Sequence, residues 1–253
     1  VSGIKGSAWT AAIKDLLITR GWPTLRGSRT VEADQPWTDD APSVARLKEA
    51  GAVPLGKTTT PEFGYKGSND SPLTGITRNP WDLSKTPGGS SGGSSAALAA
   101  GFAPLALGTD GGGSVRIPAS FTGTFALKPS FGRVAAYPLS PFGTLAHVGP
   151  MTRTVTDAAL MLNEMAKADA RDWYQVPNAV ADYAAGLEDG VKGARIAYCP
   201  TLGFAEYVDP DVAEAVKHAA LAFQAMGAQV DEIDPPLGDP SETFRTLWWG
   251  AAG

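Results

Sequence analysis

Residues 86–118 hold two clusters of glycine and serine, separated by a short and almost continuously apolar segment. The first cluster spans residues 87–93, the second spans residues 111–114, and the apolar segment runs from Ala96 to Gly108. Glycine lets a backbone approach a reacting centre closely, and serine supplies a hydroxyl that can donate, accept or attack. A flexible linker would share the glycine and serine but not the apolar segment, so we expect a folded, chemically active site here.

Helical and strand patterns alternate along the chain, which predicts an α/β fold built in layers. The predicted strands are 11–17 (a strand end entering a turn), 52–55, 103–107, 195–198 and 229–233. The predicted helices are 41–50, 94–102, 154–168, 210–226 and one beginning near 243. Pro42 suits a first helical turn, and Thr154 or Thr156 can cap the third helix.

Composition excludes several classes of protein. The chain has 21 basic and 26 acidic residues, a net charge of −5, and no basic stripe, so it lacks the electrostatic footprint of a nucleic-acid-binding protein. The single cysteine, Cys199, excludes an intramolecular disulfide and fits a reducing compartment. With one cysteine and two histidines, the sequence does not predict a protein-built zinc site. The longest apolar run is too short to cross a bilayer, and no secretory pattern precedes Ala11. We therefore expect a cytoplasmic protein with no membrane partner.

Ser114 closes a run of three glycines, and successive glycine N–H groups can converge into a nest that binds an anion. Such a nest suits a tetrahedral acyl-transfer intermediate, although a tight turn before a helix capped by Ser114 explains the same residues. A serine nucleophile needs a base. Neither His147 nor His218 is a good candidate, and the Gly-x-Ser-x-Gly elbow fails at Arg116. A lysine that burial keeps neutral could serve instead, and Lys14 stands among apolar neighbours.

Residues 51–58 satisfy the phosphate-loop pattern G-x-x-x-x-G-K-[ST], with Lys57 at the lysine position. A phosphate loop follows a strand and opens a helix, whereas this segment follows the predicted helix 41–50. Its middle residues are apolar and include Pro54, so they indicate a strand. The sequence therefore does not predict an ATP site.

Several ordered blocks resemble the amidase signature family of serine hydrolases. They are Ile13-Lys14-Asp15-Leu16, Gly56-Lys57-Thr58, Thr77-Arg78-Asn79-Pro80-Trp81, the segment 87–93, the segment 108–118 and the segment 123–133. The resemblance runs from about Ala12 to about Thr156 and continues weakly beyond. It implies an amidase-signature core, with a mixed β-sheet covered by helices on both faces.

The resemblance also implies roles for individual residues. Ser114 falls at the family's nucleophile, and the backbone of Gly111, Gly112, Gly113 and Ser114 falls at its oxyanion hole. Lys14 aligns with the catalytic lysine, and Lys57 is a poorer candidate because the family tolerates other residues there. Ser90 aligns with the bridging serine, which follows a cis peptide bond in the family, although Ser91 is the alternative. Ala8-Trp9-Thr10 stands where the family usually has Gly-Val-Pro.

The resemblance implies an amidase that hydrolyses non-peptide C–N bonds of linear amides to an acid and ammonia or an amine, through an acyl-enzyme and a Lys-Ser-Ser relay. The resemblance implies no metal or organic cofactor. The implied partner is a small-molecule amide, and a homodimer with a second copy of the chain is left open. Two alternatives are a glutamyl-tRNA amidotransferase component of the A type and a catalytically silent binding module. We expect residues 1–253 to form a single amidase-signature domain that is incomplete at both ends.

Overall fold

The structure is a computed structural model that describes residues 9–177, 182–233 and 238–252. Among Ala8-Trp9-Thr10, where the sequence differs from the family's usual Gly-Val-Pro, Ala8 therefore lies outside the described residues. Contacts divide the chain into two compact units, Val1–Ala184 and Ala185–Ala251. The expectation of one domain over residues 1–253, incomplete at both ends, stays a prediction.

The first unit is built on a five-stranded mixed sheet with the strand order β2-β1-β5-β7-β6. These strands are β1 (Thr10–Lys14), β2 (Val53–Thr58), β5 (Leu105–Asp110), β6 (Phe125–Ala126) and β7 (His147–Thr152). β1 pairs in parallel with both β2 and β5, whereas β7 runs antiparallel to β5 and β6. A separate antiparallel hairpin joins β3 (Asp70–Ser71) to β4 (Gly75–Ile76).

Helices cover both faces of this sheet, as predicted. They are α1 (Pro42–Glu49), α2 (Gly92–Ala99), α3 (Arg116–Thr122) and α4 (Val155–Met165). Successive strand residues point to opposite faces, and the two buried clusters follow that alternation. Ile13 packs with Val44 of α1 and Met161 of α4, whereas Ala12 packs with Leu98 of α2. The α/β fold with a mixed sheet between helices is therefore confirmed.

Local signals fix several helix starts. Pro42 opens α1, where its missing N–H has no helical partner to lose. Thr154 caps α4 by accepting a hydrogen bond from the backbone N–H of Asp157. Two short 3₁₀ helices, Glu62–Gly64 and Gly143–Leu145, lie in the connections.

The second unit contains β8 (Arg195–Tyr198), α5 (Pro210–Ala225), β9 (Gln229–Glu232) and α6 (Ser241–Ala252). β8 and β9 pair in parallel, with α5 as the connection between them. Among the residues that the structure describes, no helix combines the length and apolar character needed to cross a membrane.

Candidate active site

The candidate site lies where two parallel strands end. Lys14 is the last residue of β1 and Asp110 is the last residue of β5, the neighbouring strand. Carboxyl ends of adjacent parallel strands meet at one edge of a sheet, so the loops that follow them share a crevice. The glycine-rich segment 111–114 follows β5 directly, and this brings it to the same edge as Lys14.

Lys14 is completely buried, and its ammonium nitrogen has partners within the protein. Nζ lies 2.6 Å from Ser90 Oγ and 2.8 Å from Thr109 Oγ1, with the Thr109 carbonyl oxygen at 3.5 Å. Burial lowers the pKa of Lys14 well below its usual range, and the negative charge of Asp110 opposes that shift only in part. The arrangement can therefore hold an uncharged amine in contact with a serine hydroxyl.

Ser90 and Ser91 make different contacts. Ser90 is buried, follows a cis Gly89–Ser90 peptide bond and contacts Lys14. The hydroxyl of Ser91 instead donates to the Thr109 carbonyl and accepts from the Thr109 N–H, both at 3.2 Å. The structure thus brings Lys14 together with Ser90, while Ser91 fastens the start of α2 to β5.

Ser114 is almost fully buried, and it lies beside the same serine segment. Its carbonyl oxygen accepts a hydrogen bond from the backbone N–H of Ser91 at 3.1 Å. Gly113 has a φ of 116°, a conformation that glycine adopts without strain, and a Cβ on it would lie 2.8 Å from Ile117 Cδ1. Backbone contacts therefore hold Ser114 between α2 and the start of α3.

The carboxylate of Asp110 organises the turn that contains Ser114. Its oxygens accept hydrogen bonds from the backbone N–H groups of Gly113 at 2.7 Å and Val115 at 3.2 Å. The guanidinium of Arg116 adds two more, each 3.0 Å long. Burial acts to raise the pKa of Asp110, but these hydrogen bonds outweigh burial and hold the pKa below its ordinary value. Asp110 is therefore a buried anion within the site.

Sequence reasoning did not identify Thr109 and Asp110, which the structure places against the candidate residues. The signal for Asp110 was present, because an arginine follows it six positions later across a turn of glycines. No local signal marks Thr109, whose contact with Lys14 joins residues 95 positions apart. The Gly113 N–H is occupied by Asp110, which leaves Gly111, Gly112 and Ser114 as the other backbone donors of the predicted oxyanion hole.

Lys57, the second lysine considered, lies in β2 and in register with Ile13 rather than with Lys14. The phosphate-loop pattern 51–58 thus forms a strand that follows α1, and its lysine side chain is directed into the protein. Within the described ranges 9–177, 182–233 and 238–252, no group of three or more His, Cys, Asp or Glu side chains is placed to hold a metal ion.

Comparison with known proteins gives one consistent result. The family model described as Amidase matches residues 10–252. The chain is 48% identical over 225 residues to the A subunit of the glutamyl-tRNA(Gln) amidotransferase from Geobacter sp. (strain M21), covering 88% of this chain and 46% of that protein. It is 46% identical over 238 residues to an acylamidase of Rhodococcus erythropolis, covering 94% of this chain and 50% of that one.

Solved structures agree with the sequence relatives. A 6-aminohexanoate cyclic dimer hydrolase complexed with substrate superposes with a TM-score of 0.86 at 35% identity, covering 95% of this chain and 52% of the other. The A subunit of the glutamyl-tRNA(Gln) amidotransferase from Thermotoga maritima gives a TM-score of 0.87 at 35% identity, covering 96% and 54%. This chain spans about half the length of the curated relatives it matches. The chain belongs to the amidase family, the family that its sequence motifs resemble.

Proposed function

We propose that this protein hydrolyses the C–N bond of a linear, non-peptide carboxylic amide, giving the acid and ammonia or an amine. The observation that carries the proposal is the contact between the buried Lys14 and Ser90, with 2.6 Å between Nζ and Oγ. A lysine with a lowered pKa is uncharged at a pH where an ordinary lysine is protonated, so it can accept a proton.

In the proposed mechanism, Ser114 Oγ attacks the amide carbonyl carbon and passes its proton to Ser90, which passes its own proton to Lys14. The C–N bond of the tetrahedral intermediate then breaks, and the departing nitrogen takes the proton back through Ser90. Water attacks the resulting Ser114 ester by the same relay and releases the acid. We assign the negative oxygen of the intermediate to backbone N–H groups of Gly111, Gly112 and Ser114, because the Gly113 N–H serves Asp110.

The nucleophile is tested by labelling. Incubation of the natural full-length protein with a sulfonyl fluoride, followed by peptide mapping in a mass spectrometer, should place the adduct on Ser114. Ser114→Ala should neither label nor release ammonia from amides. An adduct on Ser90 or Ser91, together with full activity of Ser114→Ala, would overturn the assignment.

The base is tested by substitution. Lys14→Ala should lose at least about 10²–10⁴-fold in kcat, the usual contribution of a general base, while it remains folded. Lys167→Ala is the control, because Lys167 forms an ion pair with Glu164 near the end of α4, away from the site. Equal activity of the Lys14 and Lys167 variants would contradict the mechanism.

A second candidate function is that of a glutamyl-tRNA amidotransferase component of the A type, favoured by the 48% identity to the relative from Geobacter sp.. Such a protein would act on glutamyl-tRNA together with partner proteins. The two functions differ in what the protein needs. An amidase should release ammonia from simple aliphatic or aryl amides by itself, whereas an amidotransferase component should require its partners and charged tRNA. A catalytically silent binding module would neither turn over nor acquire the sulfonyl label.

A further inference from the structure

Lys57 is a second lysine with close partners, partly buried, and the mechanism above does not use it. Its Nζ donates to the Leu17 carbonyl oxygen at 2.5 Å and to Thr24 Oγ1 at 2.9 Å, with Thr19 Oγ1 at 3.3 Å. All three acceptors lie in the loop that follows β1, which means that Lys57 ties β2 to the segment directly after Lys14. Because Lys57 is in register with Ile13, its side chain leaves the sheet on the face opposite to Lys14.

Asp15 places a buried carboxylate beside the Lys57 ammonium. One of its carboxylate oxygens lies 3.8 Å from Lys57 Nζ. Burial raises the pKa of Asp15, and the charge of Lys57 and the nearby backbone N–H groups of residues 25–27 act in the opposite direction. Removing the ammonium would therefore leave a buried carboxylate without its counter-charge, which is unfavourable.

The loop after β1 reaches the Lys14–Ser90 pair through the segment around Gly64. The carbonyl oxygen of Arg26 accepts a hydrogen bond from the backbone N–H of Phe63 at 2.8 Å. The next residue along, Gly64, lies so close to the site that a Cβ on it would be 3.4 Å from Ser90 Oγ and 2.5 Å from Leu16 Cδ1. Gly64 thus lies beside the Ser90 hydroxyl, and the segment after β1 packs against Gly64 through Leu16.

From these contacts we propose that the Lys57 ammonium is a positioning group for the Lys14–Ser90 pair, acting through the loop after β1 and the Gly64 segment. This inference rests on the proposed amide hydrolysis. Lys57 touches none of the reacting atoms, so its effect is on the placement of Ser90 and not on proton transfer. A misplacement of about 1 Å in a catalytic constellation can cost about 10²-fold in rate.

The charge on Lys57 gives the role a distinctive pH signature. Burial lowers the pKa of Lys57 to about 8, Asp15 and Asp40 act to raise it, and Lys48 and Arg26 act to lower it. As the pH rises through that value, the Lys57 ammonium loses its proton and its positive charge. Activity should then fall on the alkaline side, whereas the need for an uncharged Lys14 makes activity fall on the acid side.

The experiment compares kcat, KM and the pH profile of amide hydrolysis for the natural full-length protein and its Lys57→Met and Lys57→Arg variants. Lys57→Met should lose about 10²-fold in kcat with a nearly unchanged KM and should lose the alkaline limb. Lys57→Arg, which stays charged at every working pH, should recover most of kcat and hold it at high pH. Lys167→Met, which breaks an exposed ion pair with Glu164, is the control and should match the unaltered protein.

The outcomes separate the two proposals. If the unaltered protein neither releases ammonia nor takes a sulfonyl label on Ser114, the proposed function fails and this inference fails with it. If the unaltered protein is active and Lys57→Met keeps its kcat and alkaline limb, only the inference is overturned. Should Lys57→Met not fold, Thr24→Val removes one acceptor of the ammonium, and an alkaline limb that does not move to lower pH overturns the inference.

Discussion

The Arg116 guanidinium donates two hydrogen bonds of 3.0 Å to the Asp110 carboxylate, although the arginine side chain is 54% exposed and that of the aspartate is fully buried. The pair closes the turn that carries Ser114, because Asp110 ends β5 and Arg116 begins α3. The same carboxylate acts electrostatically on Lys14 and raises its pKa against the effect of burial. One buried anion thus shapes the turn at Ser114 and influences the proposed base.

Asp110→Asn should move the acid limb of the pH–rate profile to lower pH. The negative charge of Asp110 favours the protonated form of Lys14, so removing that charge lowers the pKa of Lys14 further. The uncharged amine would then persist to lower pH. We expect a lower maximal kcat as well, because the asparagine accepts fewer of the hydrogen bonds from the turn. The measurement is kcat/KM for ammonia release across the acid limb.

Asp172→Asn is the matched control for that shift. Asp172 is also a buried carboxylate that accepts backbone hydrogen bonds, from Ala136 at 2.8 Å and Tyr174 at 2.9 Å. It is not among the groups that shift the pKa of Lys14. An acid limb that moves equally in both variants would show that general loosening, and not the charge of Asp110, sets its position.

Much of the sheet and its helices could be predicted from local patterns. β1, β2, α1, α4 and α5 were expected within a few residues of their observed bounds, because their apolar spacing and caps are local signals. The strand β7 was missed, since it contains Gly149 and Pro150 and is formed by pairing with β5 and β6. The seven-residue helix α3 entered only as the alternative of a helix capped by Ser114; it begins at Arg116, its N-cap is Val115, and no side-chain hydrogen bond caps it.

In the site, too, the sequence identified individual residues but not the contacts that depend on the fold. Resemblance identified Lys14 and Ser90 as candidates, but their contact joins residues 76 positions apart and depends on the path of the backbone between them. The anchoring of Lys57 could not be predicted, because its acceptors are a carbonyl and two threonine hydroxyls in an irregular loop. Loop carbonyls carry no sequence signal of their own.

Gly149→Ala should destabilise the protein by about 1–3 kcal/mol, the usual cost of forcing extra atoms into a packed site. Gly149 lies in β7, and a Cβ on it would collide with the carbonyl oxygen of Leu127. Urea unfolding followed by circular dichroism measures the difference. Gly56→Ala in β2 is the control, because a Cβ there meets no atom within 4 Å, and its effect should stay within about 0.5 kcal/mol. Equal effects of the two substitutions would contradict the packing argument.

The cost of burying Lys14 should appear as a pH dependence of stability. The folded-state pKa of Lys14 is lowered from the usual 10.5, so between these two values the unfolded chain binds a proton that the folded chain lacks. The free energy of unfolding should therefore rise with pH across this window, relative to Lys14→Met, with a slope of at most about 1.4 kcal/mol per pH unit. A difference between the two proteins that stays constant from neutral to alkaline pH would show that Lys14 does not titrate abnormally.

Thr109→Val should reduce kcat by about tenfold and leave KM almost unchanged. The hydroxyl of Thr109 is the nearer of its two oxygens to Lys14 Nζ, at 2.8 Å against 3.5 Å for the carbonyl. Valine keeps the shape of threonine but removes that hydroxyl, so the amine keeps Ser90 as its close partner and loses part of its fixed orientation. The net contribution of one such hydrogen bond is about 0.5–1.5 kcal/mol, and its upper end corresponds to the tenfold loss.

Thr109→Ser retains the hydroxyl and should restore most of kcat. Both variants preserve the backbone of Thr109 that Ser91 binds, so both should melt close to the unaltered protein. Steady-state ammonia release with all three proteins decides the matter: a Thr109→Val variant as active as Thr109→Ser would mean that the hydroxyl does not orient Lys14.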